Sequence, residues 1–359
     1  MWSRASVIAT MVVFGAWTPG ASAALITNGN LVVVRINGTG GAAAPGFLEE
    51  YTPGGTLVQS FPLPTVDGAG GNQGCTLPGN ATTNEGYLSM STDGQYLTLA
   101  CNDAALGTTV TTGLHDRVVA RVGMDGTVNT TTRFNQAGGW NARSAVMDGN
   151  NIWVSGSANN KAIIHTTFGS ASGTVLTGLT GGMHVAKIFD NQLYASIDPN
   201  TGNPQGVFTI GSGLPTTAGQ GATLLAGTNV NADVDIWDFW FADSDTLYFS
   251  DSRALASGGG LQKWTRTAGV WSKQYTMNTG LGGGLFGLTG VVDGSGTRLF
   301  ASTTDNKLVS VLDVGAASAF STLATGASGN IFRGLVVTVP EPGSLALLAL
   351  GGLVLIRRR

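Results

Sequence analysis

Ser144-Ala145-Val146-Met147-Asp148-Gly149-Asn150-Asn151-Ile152-Trp153-Val154 reads as an apolar strand, an Asp-Gly turn and a second strand. Glycine tolerates the positive φ of a tight hairpin, so the stretch folds back on itself. The pattern recurs from Tyr87 to Leu99 around Asp93-Gly94, and from Val185 to Ala195 around Asp190-Asn191. It returns from Phe239 to Phe249 around Asp243-Ser244-Asp245, and from Leu288 to Phe300 around Asp293-Gly294. An incomplete copy, Asn28-Gly29-Asn30-Leu31-Val32-Val33-Val34, precedes them all. The turn anchors Asn28, Asp93, Asp148, Asp190, Asp243 and Asp293 are 65, 55, 42, 53 and 50 residues apart. That irregular period lies near the ~40–50 residues of a four-stranded propeller blade.

Each unit also supplies outer strands, such as Ala162 to Thr166 with Thr174 to Leu176, and Leu261 to Thr265 with Val270 to Tyr275. The first unit has no inner strand of its own, whereas Phe332-Arg333-Gly334-Leu335-Val336-Val337 is an inner strand with no partners after it. Joining the two closes a ring and removes two sheet edges. The expected fold is therefore all-β, a β-propeller of six four-stranded blades over residues 24–338, with seven blades as the alternative count. A β-sandwich or β-solenoid fits less well, because the strands are many and the loops long. Pro64 to Glu85 reads as one long loop rich in Gly, Asn and Thr.

Composition agrees. Charged residues make up 11% of the chain, against ~25% in an ordinary domain. With 55 glycines, and much Thr, Ser and Asn, the chain favours tight turns over helices. A net charge of -3 supplies no basic field for nucleic acid.

Both ends read as processing signals. Met1-Trp2-Ser3-Arg4 is a short basic leader, Ala5 to Trp17 an apolar run, and Ala21-Ser22-Ala23 a small-x-small cleavage site. Cleavage after Ala23, following export through the Sec machinery, leaves residues 1–23 behind as a signal peptide. At the other end, Pro340-Glu341-Pro342 precedes the uncharged stretch Ser344 to Ile356 and the cluster Arg357-Arg358-Arg359. The apolar stretch is only marginally long enough to span a bilayer, and the arginines would stay on the cytoplasmic side. This order of features resembles the PEP-CTERM sorting signal of exported bacterial proteins, over residues 339–359. The resemblance implies recognition by an exosortase that cuts near the Pro-Glu-Pro, a transient membrane tether through a short transmembrane helix, and a final place at the cell surface or outside it. It also implies a producer of exopolysaccharide, which makes polysaccharide or other envelope proteins candidate partners. The inner-strand layout resembles the propellers found ahead of such tails.

In an exported protein, two cysteines most often pair, and Cys75 and Cys101 are the only two here. Free thiols are the alternative. No histidine lies at ligand spacing from either cysteine, so no metal site is expected there.

No catalytic signature occurs: there is no G-x-S-x-G, H-E-x-x-H or P-loop. The residues at the starts of the inner strands are Glu85, Arg143, His184, Asp238 and Arg333, which would converge at one channel mouth. As channel-lining polar residues they would pair with each other and with water. The alternative is that His184 and Asp238 form an acid–base pair, with the arginines holding an anion such as a uronic acid. Asn231, Asp233, Asp235 and Asp238, and separately Asp243 with Asp245, offer oxygens for Ca²⁺, but neither stretch completes a calcium loop and turn capping explains them as well. The dense aromatics Trp237, Phe239, Trp240, Phe241, Tyr248 and Phe249 read as packing between blades, or as a platform for stacking sugars. The expected protein is thus a binding or structural propeller with no cofactor; the competing class is an extracellular polysaccharide lyase or hydrolase.

Overall fold

The computed structural model describes residues 25–79, 85–110, 115–135, 141–157, 163–177, 182–197, 204–229 and 235–338. Ala23, Pro340, Glu341, Pro342, Arg357, Arg358 and Arg359, together with Asn231 and Asp233, lie outside the described residues.

Strands β1 (Leu31–Asn37), β2 (Ala43–Tyr51), β3 (Leu57–Pro62), β4 (Thr76–Pro78), β5 (Leu88–Met90), β6 (Tyr96–Asn102), β7 (Arg117–Gly123) and β8 (Val128–Phe134) belong to one nine-stranded sheet. A four-stranded sheet follows from β9 (Asn141–Asp148), β10 (Asn151–Ser157), β11 (Ile163–Thr167) and β12 (Thr174–Thr177). The next is β13 (Met183–Phe189), β14 (Gln192–Ile197), β15 (Gly206–Ile210) and β16 (Ala222–Leu224). Then come β17 (Ile236–Asp243), β18 (Thr246–Asp251), β19 (Gly260–Thr267) and β20 (Val270–Met277). The last four-stranded sheet is β21 (Leu285–Asp293), β22 (Gly296–Thr303), β23 (Lys307–Leu312) and β24 (Ser321–Thr325). Strand β25 (Asn330–Val337) returns to β1 as the ninth strand of the first sheet.

The innermost strands pack in a cycle: β25 on β5, then β9, β13, β17, β21 and back to β25. Apolar clusters fill the wedges between neighbouring sheets. One holds Phe239, Phe241, Leu247, Phe249 and Trp264 against Val207 and Tyr194 of the preceding sheet. Another sets Leu261 and Met277 against Leu288 and Leu299 of the next. This is the propeller arrangement expected from the repeats. The approach at the axis is close enough to require glycine: a Cβ on Gly334 would lie 2.3 Å from the Leu88 nitrogen, and one on Gly287 2.6 Å from the Arg333 carbonyl oxygen.

The repeated acidic anchors cap their own turns. Asp93, Asp243 and Asp293 accept the backbone N–H two residues on, at 3.1, 2.7 and 2.7 Å. At Asp190 and Asn191 both φ values are positive, 47° and 57°, the conformation of a tight two-residue hairpin turn.

A second repeated device joins the sheets. On the strand after each turn, the motif reads Ile152-Trp153-Val154-Ser155, Leu193-Tyr194-Ala195-Ser196, Leu247-Tyr248-Phe249-Ser250 and Leu299-Phe300-Ala301-Ser302. Each serine hydroxyl donates to a carbonyl on the innermost strand of the following sheet. Ser155 reaches His184 at 2.8 Å, Ser196 reaches Trp237 at 3.1 Å, Ser250 reaches Phe286 at 2.6 Å and Ser302 reaches Arg333 at 2.5 Å. Three of them also accept an N–H from their own innermost strand: Val185 to Ser196, Asp238 to Ser250 and Gly287 to Ser302. The hydroxyl thus satisfies buried backbone groups where two sheets meet at the axis and no ladder can form. The corresponding residues of β1 and β6 are Val34 and Ala100, and there Thr98 bonds the Ala145 carbonyl at 2.8 Å instead.

Strand β25 pairs antiparallel with β1, Val336 opposite Val32 and Phe332 opposite Arg35. The stretch from Pro64 to Glu85, expected as loop throughout, contains the 3-10 turn Ala69–Gly71 and strand β4. Strand β4 bridges β2 and β6, which is why the two halves of the large sheet are continuous. The Cys75–Cys101 disulfide ties this crossing to β6, as the cysteine count led one to expect.

Candidate functional site: the two ends of the central channel

Alternation along the innermost strands points side chains in turn at the axis and at the neighbouring sheets. The five charged residues expected at an open mouth gather at one end of the axis, but that end is filled. Glu85, Arg143, His184, Asp238 and Arg333 are 1, 3, 0, 1 and 1% exposed. Trp237 occupies the centre, its ring centroid 4.4 Å from Phe286, 5.1 Å from His184 and 6.4 Å from Tyr87. The Arg333 guanidinium lies over Phe286 at 4.6 Å and donates to the Gly79 carbonyl at 3.2 Å. Arg143 donates to the Met183 carbonyl at 3.4 Å.

The alternative His184–Asp238 pair is not formed. His184 Nδ1 sits 2.9 Å from the Ile236 carbonyl oxygen. Asp238 pairs with Lys187 at 2.7 Å and accepts the backbone N–H groups of Phe239 and Leu288 at 2.7 and 2.9 Å. The physical reason is local. Burying a carboxylate demands a cation and several donors, and the neighbouring strand β13 supplies the cation. Burial still pushes the Asp238 carboxyl above its ordinary range, against the lowering effect of Lys187.

Glu85 is strongly perturbed. Burial raises its pKa to about 7, opposed by the hydrogen bond from Asn102 and by Arg117 and Arg143. Asn102 Nδ2 donates to Oε2 at 2.6 Å, while Oε1 has no hydrogen-bond partner among the described residues. Burial lowers Arg117, and burial with Arg117 nearby lowers His115 to about 4.

The opposite end, where the turns lie, is open. A cavity of about 310 Å³ is lined by residues of all the innermost strands. Its walls are mostly apolar, with Leu88, Met90, Val146, Ile188 and the indole of Trp240. Its polar residues are Lys187, Ser89, Thr289, Ser91 and Thr92, the last two bonded to Asp93 and Asp148. Lys187 was not singled out from the sequence. A signal was present: Met90, Lys187, Trp240 and Gly290 each stand three residues before a turn aspartate, so the repeat brings equivalent positions to one level of the axis.

The aromatics divide accordingly. Phe239, Phe241, Tyr248 and Phe249 are buried between sheets and Trp237 in the filled end, whereas Trp240 alone of the six lines the cavity. The described acidic residues considered for calcium are otherwise engaged. Asp235 accepts the Trp237 indole N–H at 2.9 Å, Asp243 caps its turn, and Asp245 pairs with Arg266 at 2.9 Å. Among the described residues, no group of three or more His, Cys, Asp or Glu side chains could hold a metal ion, and no helix is long and apolar enough to cross a membrane.

Comparison with known proteins bears on the tail and on the fold. Residues 338–359 match the PEP-CTERM protein-sorting motif, which implies an exported exosortase substrate tethered to the membrane before processing. No curated protein matches the chain in sequence. Among solved structures, a protein from Bacteroides fragilis assigned as a 6-phosphogluconolactonase is similar, with a TM-score of 0.51 and 12% identity over 86% of this chain and 83% of that one. A protein from Lactobacillus plantarum gives a TM-score of 0.47 and 11% identity over 81% of each chain. A gluconolactonase from Xanthomonas campestris gives 0.40 and 13%, over 72% of this chain and 84% of that one. The first likeness shows a shared β-propeller-like fold and nothing of chemistry.

Proposed function

We propose that this exosortase substrate is a non-enzymatic surface or matrix protein, a closed propeller of six blades that binds exopolysaccharide or other envelope components. The count takes the nine-stranded sheet as two blades bridged by β4. In this reading residues 1–23 are a signal peptide, 24–338 the propeller and 339–359 the sorting signal. The helix from Ser344 to Ile356 spans the inner membrane only until the exosortase cuts near Pro340-Glu341-Pro342, with the Arg357-Arg358-Arg359 cluster as its cytoplasmic stop. The Cys75–Cys101 bond accords with an oxidising destination.

The observation that carries the non-enzymatic reading is the engagement of the axial charges. Asp238 is held by Lys187 and two backbone N–H groups, and among the described residues no acid–base pair lines the open cavity. A competing reading keeps a polysaccharide lyase or hydrolase at the filled end. It rests on Glu85, whose pKa of about 7 suits a general acid or base. Purified exported protein offered a polysaccharide panel separates the two. Retention on polysaccharide without turnover supports binding; turnover abolished by Glu85→Gln establishes the enzyme. Mass spectrometry of the exported form tests sorting, with a C-terminus near Pro340 to Pro342 expected and an intact Arg359 contradicting it.

A further inference from the structure

We infer that the open cavity at the turn end of the channel binds a small, neutral molecule with an apolar body and one hydrogen-bond-accepting oxygen, such as a ketone, ester or amide. This goes beyond the polysaccharide reading and stands without it.

Size comes first. About 310 Å³ sits at the lower end of small-molecule pockets and admits a compact ligand, not a polymer chain. Polarity comes second. The walls formed by Met90, Val146, Ile188 and Trp240 match an apolar body. A sugar ring would bring several hydroxyls to a site with few polar groups, and each hydroxyl left unmet weakens binding by roughly tenfold.

Donors and charge complete the argument. The Lys187 ammonium has three hydrogens; one goes to Asp238 at 2.7 Å and one to the Leu288 carbonyl at 3.0 Å. The third has no hydrogen-bond acceptor among the described residues, the ammonium lying 5.7 Å from the Phe239 ring centroid. An ammonium with a donor to spare in a mostly apolar wall is answered by one accepting oxygen. Because Asp238 already neutralises Lys187, the site carries no spare charge. An anion finds no uncompensated cation there, and a cation would meet the Lys187 ammonium.

The test is calorimetric titration of the folded, mature exported protein with three probes: 2-octanone, octanoate and glucose. The expected result is saturable binding of 2-octanone, at least tenfold weaker binding of octanoate, and none of glucose. Met90→Trp should fill the cavity and abolish 2-octanone binding, with circular dichroism unchanged. If Met90→Trp does not fold, Ile188→Trp, which fills the same cavity from another strand, decides in its place. No saturable binding of 2-octanone to the parent, glucose or octanoate binding as tightly, or affinity unmoved by the folded variants would overturn the inference.

Discussion

The Thr338 hydroxyl donates to the carbonyl oxygen of Thr27 at 2.7 Å, joining the two ends of the described chain. The Thr338 N–H donates to the Asn30 carbonyl at 2.9 Å, and Gly29 returns its N–H to the Thr338 carbonyl at 2.7 Å. Since the sorting motif begins at residue 338, the last staple of the ring is also the first residue of the motif. A chain ending at Gly329 lacks β25 and leaves the β1 edge unpaired. It should lose its cooperative urea transition. A chain ending at Thr338 keeps every one of these bonds and should match the parent midpoint. Thr338→Val, which exchanges only the hydroxyl for a methyl group, should cost about 1 kcal/mol.

Ser302 accepts from Gly287 and donates to Arg333 at the ring's final junction. Ser302→Ala strands a buried N–H and a buried carbonyl together. A loss of about 1–3 kcal/mol is expected in denaturant unfolding. Ser272→Ala, on an exposed stretch of β20, should change stability by less than about 0.5 kcal/mol. Equal effects from the two would remove the serine device as a stabilising feature.

The Cys75–Cys101 bond closes a loop with a sequence separation of 26. Chain-entropy reasoning gives it about 3 kcal/mol through the unfolded state. Replacing both cysteines with serine should lower stability by that order, and adding reductant should then have no further effect. Parent protein that unfolds at the same midpoint with and without reductant would contradict this.

Glu85 makes a pH-dependent contribution of defined sign. Its folded pKa of about 7 lies above the ordinary 4.5, so the native state holds the proton more tightly than the unfolded chain. The associated stability is full below pH 4.5 and is lost as pH rises through 7. Glu85→Gln should therefore be more stable than the parent at pH 8, with the gap closing towards pH 4.5. His115 works the other way: its lowered pKa, about 4, takes stability away as pH falls from 6.5. Urea unfolding of Glu85→Gln and of His115→Gln across pH 4–8 separates the two contributions. A pH-independent gap for Glu85→Gln would show that its carboxyl is not the titrating group.

The hairpins were legible from the sequence because their signals are local. Asp93, Asp190, Asp243 and Asp293 each govern a turn within a few residues, and the period they set implies repeated sheets. Closure by Phe332 to Val337 was legible too, since an unpaired edge at each end leaves one economical answer. The serine motif was equally local, but its purpose was not, because Ser155, Ser196, Ser250 and Ser302 act on carbonyls 29 to 41 residues away.

The site divides along the same line. Sequence alone determined that charged residues stand where the innermost strands start, and that two cysteines, few charges and a sorting tail belong to an exported β-protein. Only the tertiary structure decided that Trp237 and Phe286 fill that end and that Asp238 turns to Lys187 rather than His184. It also decided that the open space lies at the other end, beside Trp240. A repeat fixes the level at which a side chain meets the axis. Which end stays hollow depends on the summed volumes of side chains from every blade, and which charge finds which partner depends on distances between strands far apart in sequence.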